Sequence, residues 1–465
     1  MRQPILVLLL AGAADRACPV LGGRTPLMYS RTPNLDALAR AGQSGLLEPL
    51  GPGAAPDPAL ALFTLLGYDP RAQFPGRAYL AARGEGLEPE PGEVVLRARF
   101  GLVREREMRL IVEDRRPSLP EAAARAMAEA VREVEEEGVR ARYAYTGSGK
   151  GFLLLKGPPE SPFAPPLRDS DPGGTGAELR RPAPAPGAPD RGASLRAAHA
   201  LADWLAYSGE TLNGLDLPAV RKARGKGLRW ALLVRWAGAH RDIPPFRGWN
   251  GLHGALVGAS NLLAGTAKCL GMTWIEPPGS RDPAGSGDPV GSGDPAGSDD
   301  PAGSGEELRR RIAAGIETIG TTRHKFVLVH AGGVEAANRK GGPRAKAEAL
   351  EAVDEGIGDA LLGLARGGRA LVCVTPDRSS PSNAGGEAGP EAVPFTVAGA
   401  GVLVDEVREY NELACGGGLL GRFPGSEVMP RLLGLAGRGR PPGLLPPLPG
   451  EGHAPPPTEA MWDMD

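Results

Sequence analysis

This chain of 465 residues is short of cysteine, of aromatic residues and of net charge, and each shortage removes a class of protein. Cys18, Cys269, Cys373 and Cys415 lie far apart with no CxxC pair, so neither a disulfide scaffold nor a cysteine zinc site is expected. Aromatics make up 5% of a composition that is 41% hydrophobic, so the cores must be mostly Leu, Val and Ala. Lys+Arg (53) nearly balances Asp+Glu (55), which leaves no field to gather nucleic acid or an anionic membrane. Neither is expected as a partner. No apolar run reaches the ~18–20 residues of a membrane helix, and the GxGxxG, Walker and HExxH signatures are missing. His199, His240, His253, His324 and His453 are scattered without ligand spacing. His330 closes an apolar run and reads as a packing or supporting residue.

What is present argues for an α/β fold. The length suits about three domains of roughly 150 residues. Ile5-Leu-Val-Leu-Leu-Leu10 follows Met1-Arg2 and mimics a secretory signal, but it also reads as a buried first strand ending near Gly12. The following chain favours the strand. Thr32 and Pro33 suit a helix start and Gly42 its end. Apolar runs at 230–234, 326–329 and 370–374 read as strands, and amphipathic stretches at 252–270 and 345–366 read as the helices between them. That alternation predicts a parallel doubly wound sheet.

Two segments interrupt the pattern. Shorter alternating strands at 94–100, 109–112 and 152–156, with a long charged helix at 119–137, predict a separate α+β insert. Four hexapeptides run from Ser280-Arg-Asp-Pro-Ala-Gly to Ser298-Asp-Asp-Pro-Ala-Gly303. They lack the apolar rungs of a β-helix and are expected to form a flexible loop. The division expected is core at 1–75, insert with a Pro/Gly-rich exit at 76–190, core at 191–279, loop at 280–305, core at 306–436 and a disordered tail at 437–465. Gly (69) and Pro (48) supply about a quarter of the chain, and part of that excess sits in these segments.

Several blocks carry a resemblance. Thr32-Pro-Asn-Leu-Asp36, Gly45-Leu-Leu-Glu-Pro-Leu-Gly-Pro-Gly53, Leu65-Leu-Gly-Tyr-Asp-Pro70, Asp114-Arg-Arg116 and Asp169-Ser-Asp-Pro172 occur in that order. Gly251-Leu-His-Gly-Ala255, Leu270-Gly-Met272, Asn411-Glu-Leu-Ala414 and Met429-Pro430 follow them. In this order and spacing they resemble the archaeal-type cofactor-independent phosphoglycerate mutases of the alkaline phosphatase superfamily. The resemblance implies an alkaline-phosphatase-like parallel sheet core with an inserted α+β lid, a cytoplasmic setting, and interconversion of 3- and 2-phosphoglycerate. In that family a serine takes the phosphoryl group and two Mn or Mg ions support the transfer. A serine hydroxyl needs a metal or base to become a nucleophile, and two metals can hold the attacking and leaving oxygens together.

The family's site positions are largely replaced here. Its first strand ends Asp-Gly-x-x-Asp, and this chain reads Ala11-Gly12-Ala13-Ala14-Asp15. The nucleophile position carries Pro58, so no catalytic nucleophile is assigned. The Asp and His of a third cluster become Glu335 and Arg339, and Thr-Ala-Asp-His-Ser becomes Thr375-Pro-Asp377-Arg378-Ser379. The last His maps to about Ala388. Asp377, with Glu335 as a substitute, is the vestige of the metal set. Arginine has no acceptor and cannot ligate a metal, and beside a dication it adds several kcal/mol of repulsion even at an effective dielectric of about 20. No bound cofactor or dinuclear metal site is therefore expected.

Arg339 and Arg378 either pair with Glu335 and Asp377 or form an anion site, since guanidinium forks hold phosphate and carboxylate well. The resemblance also implies substrate-binding roles for Arg97, Arg115, Arg116, Lys150, Asp169, Asp171 and Arg235. Gly149-Lys150-Gly151 departs from the family's His-Arg-Gly. The expected function is a mutase-derived pseudoenzyme that binds phosphoglycerate or another small anionic metabolite. The alternatives are an active mutase with displaced catalytic residues and a structural or interaction protein with a filled cleft.

Overall fold

The computed structural model describes residues 2–54, 57–278, 305–383 and 388–439. The hexapeptide run and the tail from 440 lie outside the described residues. Fourteen strands occur among those described. They are β1 (Ile5–Leu10), β2 (Gly42–Glu48), β3 (Glu93–Arg106), β4 (Arg109–Asp114), β5 (Glu133–Glu136), β6 (Val139–Gly147) and β7 (Lys150–Lys156). The series continues with β8 (Arg229–Ala239), β9 (Gly254–Val257), β10 (Thr273–Ile275), β11 (Phe326–Ala331), β12 (Leu371–Pro376), β13 (Val393–Ala398) and β14 (Gly421–Pro424).

The chain divides into two compact units, one formed by Met1–Phe74 together with residues from Ile243 onward, the other by Pro75–Asp242. The first holds an eight-stranded sheet in the order β10-β9-β11-β1-β12-β13-β2-β14. β1 lies between β11 and β12, parallel to both, and all six of its residues are buried. A strand covered on both faces must be apolar at every position, which is why Ile5–Leu10 shows no alternation. The sheet is mixed rather than wholly parallel, because β13 runs against both β12 and β2. Its core includes Leu6, Leu8, Val327, Val329, Leu350 and Val372.

The second unit holds a six-stranded sheet in the order β4-β3-β7-β6-β5, with β8 pairing β3. That corrects the reading of 230–234 as a strand of the parallel sheet. β8 runs antiparallel to β3 with Phe100 opposite Leu232, and the helix Arg191–Gly214 contributes Ala197, Leu201 and Trp204 to the same core. An apolar run shows that a strand is buried but not which sheet buries it.

Three helix boundaries also move. Residues 119–137 form the helix Glu121–Ala130 and then β5. Residues 252–270 contain β9 before the helix Asn261–Cys269, which Ser260 caps by accepting from the Leu263 N–H. Residues 345–366 are shared between the helices Val334–Ile357 and Ala360–Arg366, separated at Gly358. The first of these is kinked at Gly342, whose φ is 69°, just before Pro343.

The β2–β13 contact is unusually close. A Cβ built on Gly42 would stand 2.0 Å from the Val397 carbonyl oxygen, so this strand position requires glycine. Gly42→Ala is expected to cost about 2 kcal/mol or more, read as a lowered midpoint in denaturant unfolding. An unchanged midpoint would show that the two strands separate without cost.

Candidate functional site

The family-related positions of the first unit form a closed set of ion pairs. β12 delivers Asp377 immediately beyond its last residue, and the helix Val334–Ile357 places Glu335 in its first turn, where the helix dipole favours a carboxylate. Arg378 lies between them. One of its terminal nitrogens donates to Asp377 Oδ2 at 2.5 Å and the other to Glu335 Oε2. The Arg378 side chain is 0% exposed, against 3% for Asp377 and 1% for Glu335. Burial alone would lower its pKa, but the carboxylates of Asp377 and Glu335, with Asp57 beyond, hold it above its ordinary value.

The remaining carboxylate oxygens are also committed. The Gly12 N–H donates to Asp377 Oδ1 at 2.7 Å, and Arg339 donates to Glu335 Oε1 at 3.0 Å. Gly12 has φ +62°, and a Cβ there would press on Ser380 and Glu335 at 3.2 and 3.3 Å. Pro58 opens the helix Pro58–Leu65, and Asp57 caps it by accepting from the Ala59 N–H at 2.8 Å.

This arrangement does not fit two divalent metals. Ala11 and Ala388 offer no side-chain donor, and the oxygens of Asp377 and Glu335 already face N–H groups. Among the described residues no three His, Cys, Asp or Glu side chains group as a metal would need.

A neighbouring cation was not anticipated. Lys346, 0% exposed, donates to Asp15 Oδ2 at 2.9 Å, to the Ala14 carbonyl at 2.8 Å and to the Ser380 carbonyl at 2.8 Å. Burial lowers its pKa, and Asp15 opposes that shift. Asp15 also accepts from the Ser382 hydroxyl at 2.6 Å. Glu412 accepts the Asp15 N–H at 3.0 Å and the Thr25 hydroxyl at 2.7 Å. Burial raises the pKa of Glu412 and these bonds oppose it. In the sequence Lys346 is one of several charges on a helix, and nothing local sets it apart.

The expected substrate-binding residues lie in the second unit, many on the sheet face opposite its main core. Arg97 on β3 stands opposite Arg235 on β8 and Phe152 on β7, and Arg99 stands opposite Lys150. Directly paired residues share a face, so these four cations gather on one side. Arg115 meets Asp171 in a bidentate fork of 2.9 and 2.6 Å, with both side chains buried. Arg116 lies beside it, its N–H held by Asp114 Oδ1 at 2.8 Å. Arg235 Nε is 3.6 Å from Asp169 and 4.0 Å from Asp171. The Arg97 guanidinium lies 4.5 Å over the Phe152 ring and has no carboxylate partner among the described residues.

Trp236 holds this face together in a conformation the sequence did not disclose. Its φ is 61°, a left-handed position that costs a bulky residue about 1–3 kcal/mol. Arg77 and Arg235 lie 4.1 and 4.6 Å from its ring, and its N–H donates to Asp169 Oδ1 at 2.7 Å. Burial raises the Asp169 pKa, with the Trp236 N–H and Arg235 opposing. For Asp171, burial is outweighed by the bonds from Arg115 and the Gly173 N–H, and the pKa falls.

An eight-stranded sheet ordered around β1 and a separate α+β unit on β3 define an α/β protein of two units. A family model for 2,3-bisphosphoglycerate-independent phosphoglycerate mutase matches residues 39–214. Such a mutase from Methanopyrus kandleri is 32% identical over 443 residues, covering 94% of this chain and 97% of that protein. One from Ignicoccus hospitalis is 32% identical, with coverages of 95% and 99%. The cofactor-independent phosphoglycerate mutase structure from Thermoplasma acidophilum is similar at TM-score 0.59 and 26% identity, covering 93% of this chain and all of that one. A Pyrococcus horikoshii protein shares the fold at TM-score 0.71 and 22% identity, with coverages of 95% and 99%. The chain belongs to the 2,3-bisphosphoglycerate-independent phosphoglycerate mutase family.

Two stability outcomes follow. Glu335→Ala leaves Arg378 and Arg339 short of a carboxylate and is expected to cost ~3–5 kcal/mol in chemical denaturation. A loss under 1 kcal/mol in that experiment would mean that Asp377 alone satisfies the buried charge. Asp171→Asn breaks the Arg115 fork at a comparable cost. Because the folded Asp171 pKa lies below the ordinary 3.8, its contribution is full above that pH and is lost as pH falls through the folded value. The stability gap between wild type and Asp171→Asn should therefore narrow below about pH 4 and be flat from pH 5 to 7. A gap that widens on acidification would contradict the assignment.

Proposed function

We propose that this family member binds a phosphoglycerate-like anion without turning it over, its metal charge replaced by Arg378 and Lys346. The observation that carries the reading is the Arg378 guanidinium, wholly buried between Asp377 and Glu335. A dication at that place would meet a fixed positive charge and carboxylates already spoken for. Pro58 offers no hydroxyl to take a phosphoryl group, and loss of a covalent nucleophile costs on the order of 10⁶ in kcat in a hydrolase. The second unit supports the binding half of the proposal. Arg97 and Arg235 face one another across adjacent strands, and Arg97 has no carboxylate partner among the described residues. Guanidinium pairs of this kind suit the phosphate and carboxylate of one small molecule. Arg339 is spent on Glu335 in this reading and adds nothing to anion capture. The family relationship and the lack, among the described residues, of a helix long and apolar enough to cross a membrane suit a cytoplasmic setting.

An enolase-coupled assay with excess Mn²⁺, run beside the Methanopyrus relative, tests turnover. Activity at the level of the blank is expected, with melting unchanged by chelator. Turnover within about a hundredfold of the relative would overturn the non-turnover reading. Calorimetric titration with 3-phosphoglycerate tests binding. Arg235→Ala is expected to weaken it by about tenfold, near 1.4 kcal/mol, and no heat with the wild-type chain would remove the anion-binding half.

A further inference from the structure

The second unit also contains a cavity of about 590 Å³, lined by one side of the helix Arg191–Gly214, the β5–β6 hairpin and the segment at 158–163. Its size falls in the range of about 300–1,000 Å³ usual for small-molecule sites. Phe163, Trp204 and Tyr207 supply aromatic surface, and Glu136, Glu137 and Asp203 supply carboxylates. Trp204 is buried at 3% exposure, whereas Tyr207 stands open at 43%. None of the three carboxylates has a hydrogen bond or ion pair with a described residue. His199 also lines the cavity, and Arg196, its one guanidinium, donates to the Pro162 carbonyl at 3.0 Å. Three carboxylates against one guanidinium leave the lining net acidic, the reverse of the arginine-rich β3–β8 face.

We infer that this cavity is a binding site for a small organic cation, an alkylated or protonated amine carrying an apolar body. An ammonium group seats favourably over aromatic faces as it loses water. Unpaired carboxylates add charge attraction without first breaking an ion pair of their own. A neutral ligand gains the apolar contact alone, and an anion meets repulsion from Glu136, Glu137 and Asp203. The helix periodicity builds the site: residues 199, 200, 203, 204 and 207 recur on one helical face, which brings Asp203, Trp204 and Tyr207 to the same cavity lining. The site is independent of the phosphoglycerate reading and stands or falls without it.

The test titrates the full chain with benzyltrimethylammonium, benzyl alcohol and benzoate by calorimetry. Saturable binding of the cation is expected, at least about tenfold tighter than either comparison ligand. Asp203→Asn and Tyr207→Ala, both at exposed positions that spare the core, should each weaken the cation by about three- to tenfold. Tyr207→Phe keeps the ring and should leave binding unchanged. Added 3-phosphoglycerate should not compete. Equal affinity for all three probes, no saturable binding, or variants that leave the cation's affinity unmoved would each overturn the proposal.

Discussion

Arg378 is the constraint around which the first unit's site is arranged. A guanidinium removed from water is strongly unfavourable unless carboxylates and acceptors surround it. Asp377 and Glu335 do so from two different elements of that unit, the end of β12 and the first turn of the long helix Val334–Ile357. Their placement ties the helix to the sheet by charge as well as by packing. Arg339 and the Gly12 N–H then take the oxygens that Arg378 leaves, and Gly12 must stay free of a side chain for the three segments to meet.

Lys346 repeats the principle a short distance along the chain. It is wholly buried, and its three acceptors come from the segment after β1 and the segment after β12. Two fixed cations thus lie beside the segments that follow the central strands β1 and β12. A resident cation differs from a metal in kind. It offers donors and no open coordination position, so it can neutralise a carboxylate but cannot polarise a bound oxygen. The second unit shows the complementary situation. Its sheet presents Arg97, Arg235 and the Arg115–Asp171 fork on one face, while the other face packs on the helix Arg191–Gly214 and borders the acidic, aromatic cavity. Opposite chemistry on two sides of one sheet follows from the two-residue period of its strands.

Some of this was legible because it is local. Ile5–Leu10 is apolar at every position, and that alone marks a strand covered on both faces. Motif order at fixed spacing identified the family, and the resemblance led to the expectation that Ala11, Pro58, Arg339 and Arg378 stand at its site positions. The pairing of Arg378 with both Asp377 and Glu335 was one of two arrangements the charges allowed. The insert's first strands were read because they alternate, but β8 was assigned to the wrong sheet. Its burial was encoded in its side chains, whereas its partner, β3, lies more than a hundred residues away.

The sequence by itself determined the family and the candidate arginines of the second unit, since these depend on residue type and spacing. Tertiary structure alone decided which carboxylate each cation meets. It also brought Lys346 to Asp15, turned Trp236 into a left-handed conformation between two arginines, and opened a cavity beside Trp204. The physical reason is that charge pairing and enclosure act over ångströms in space between residues tens to hundreds of positions apart. Local propensity carries no record of those distances.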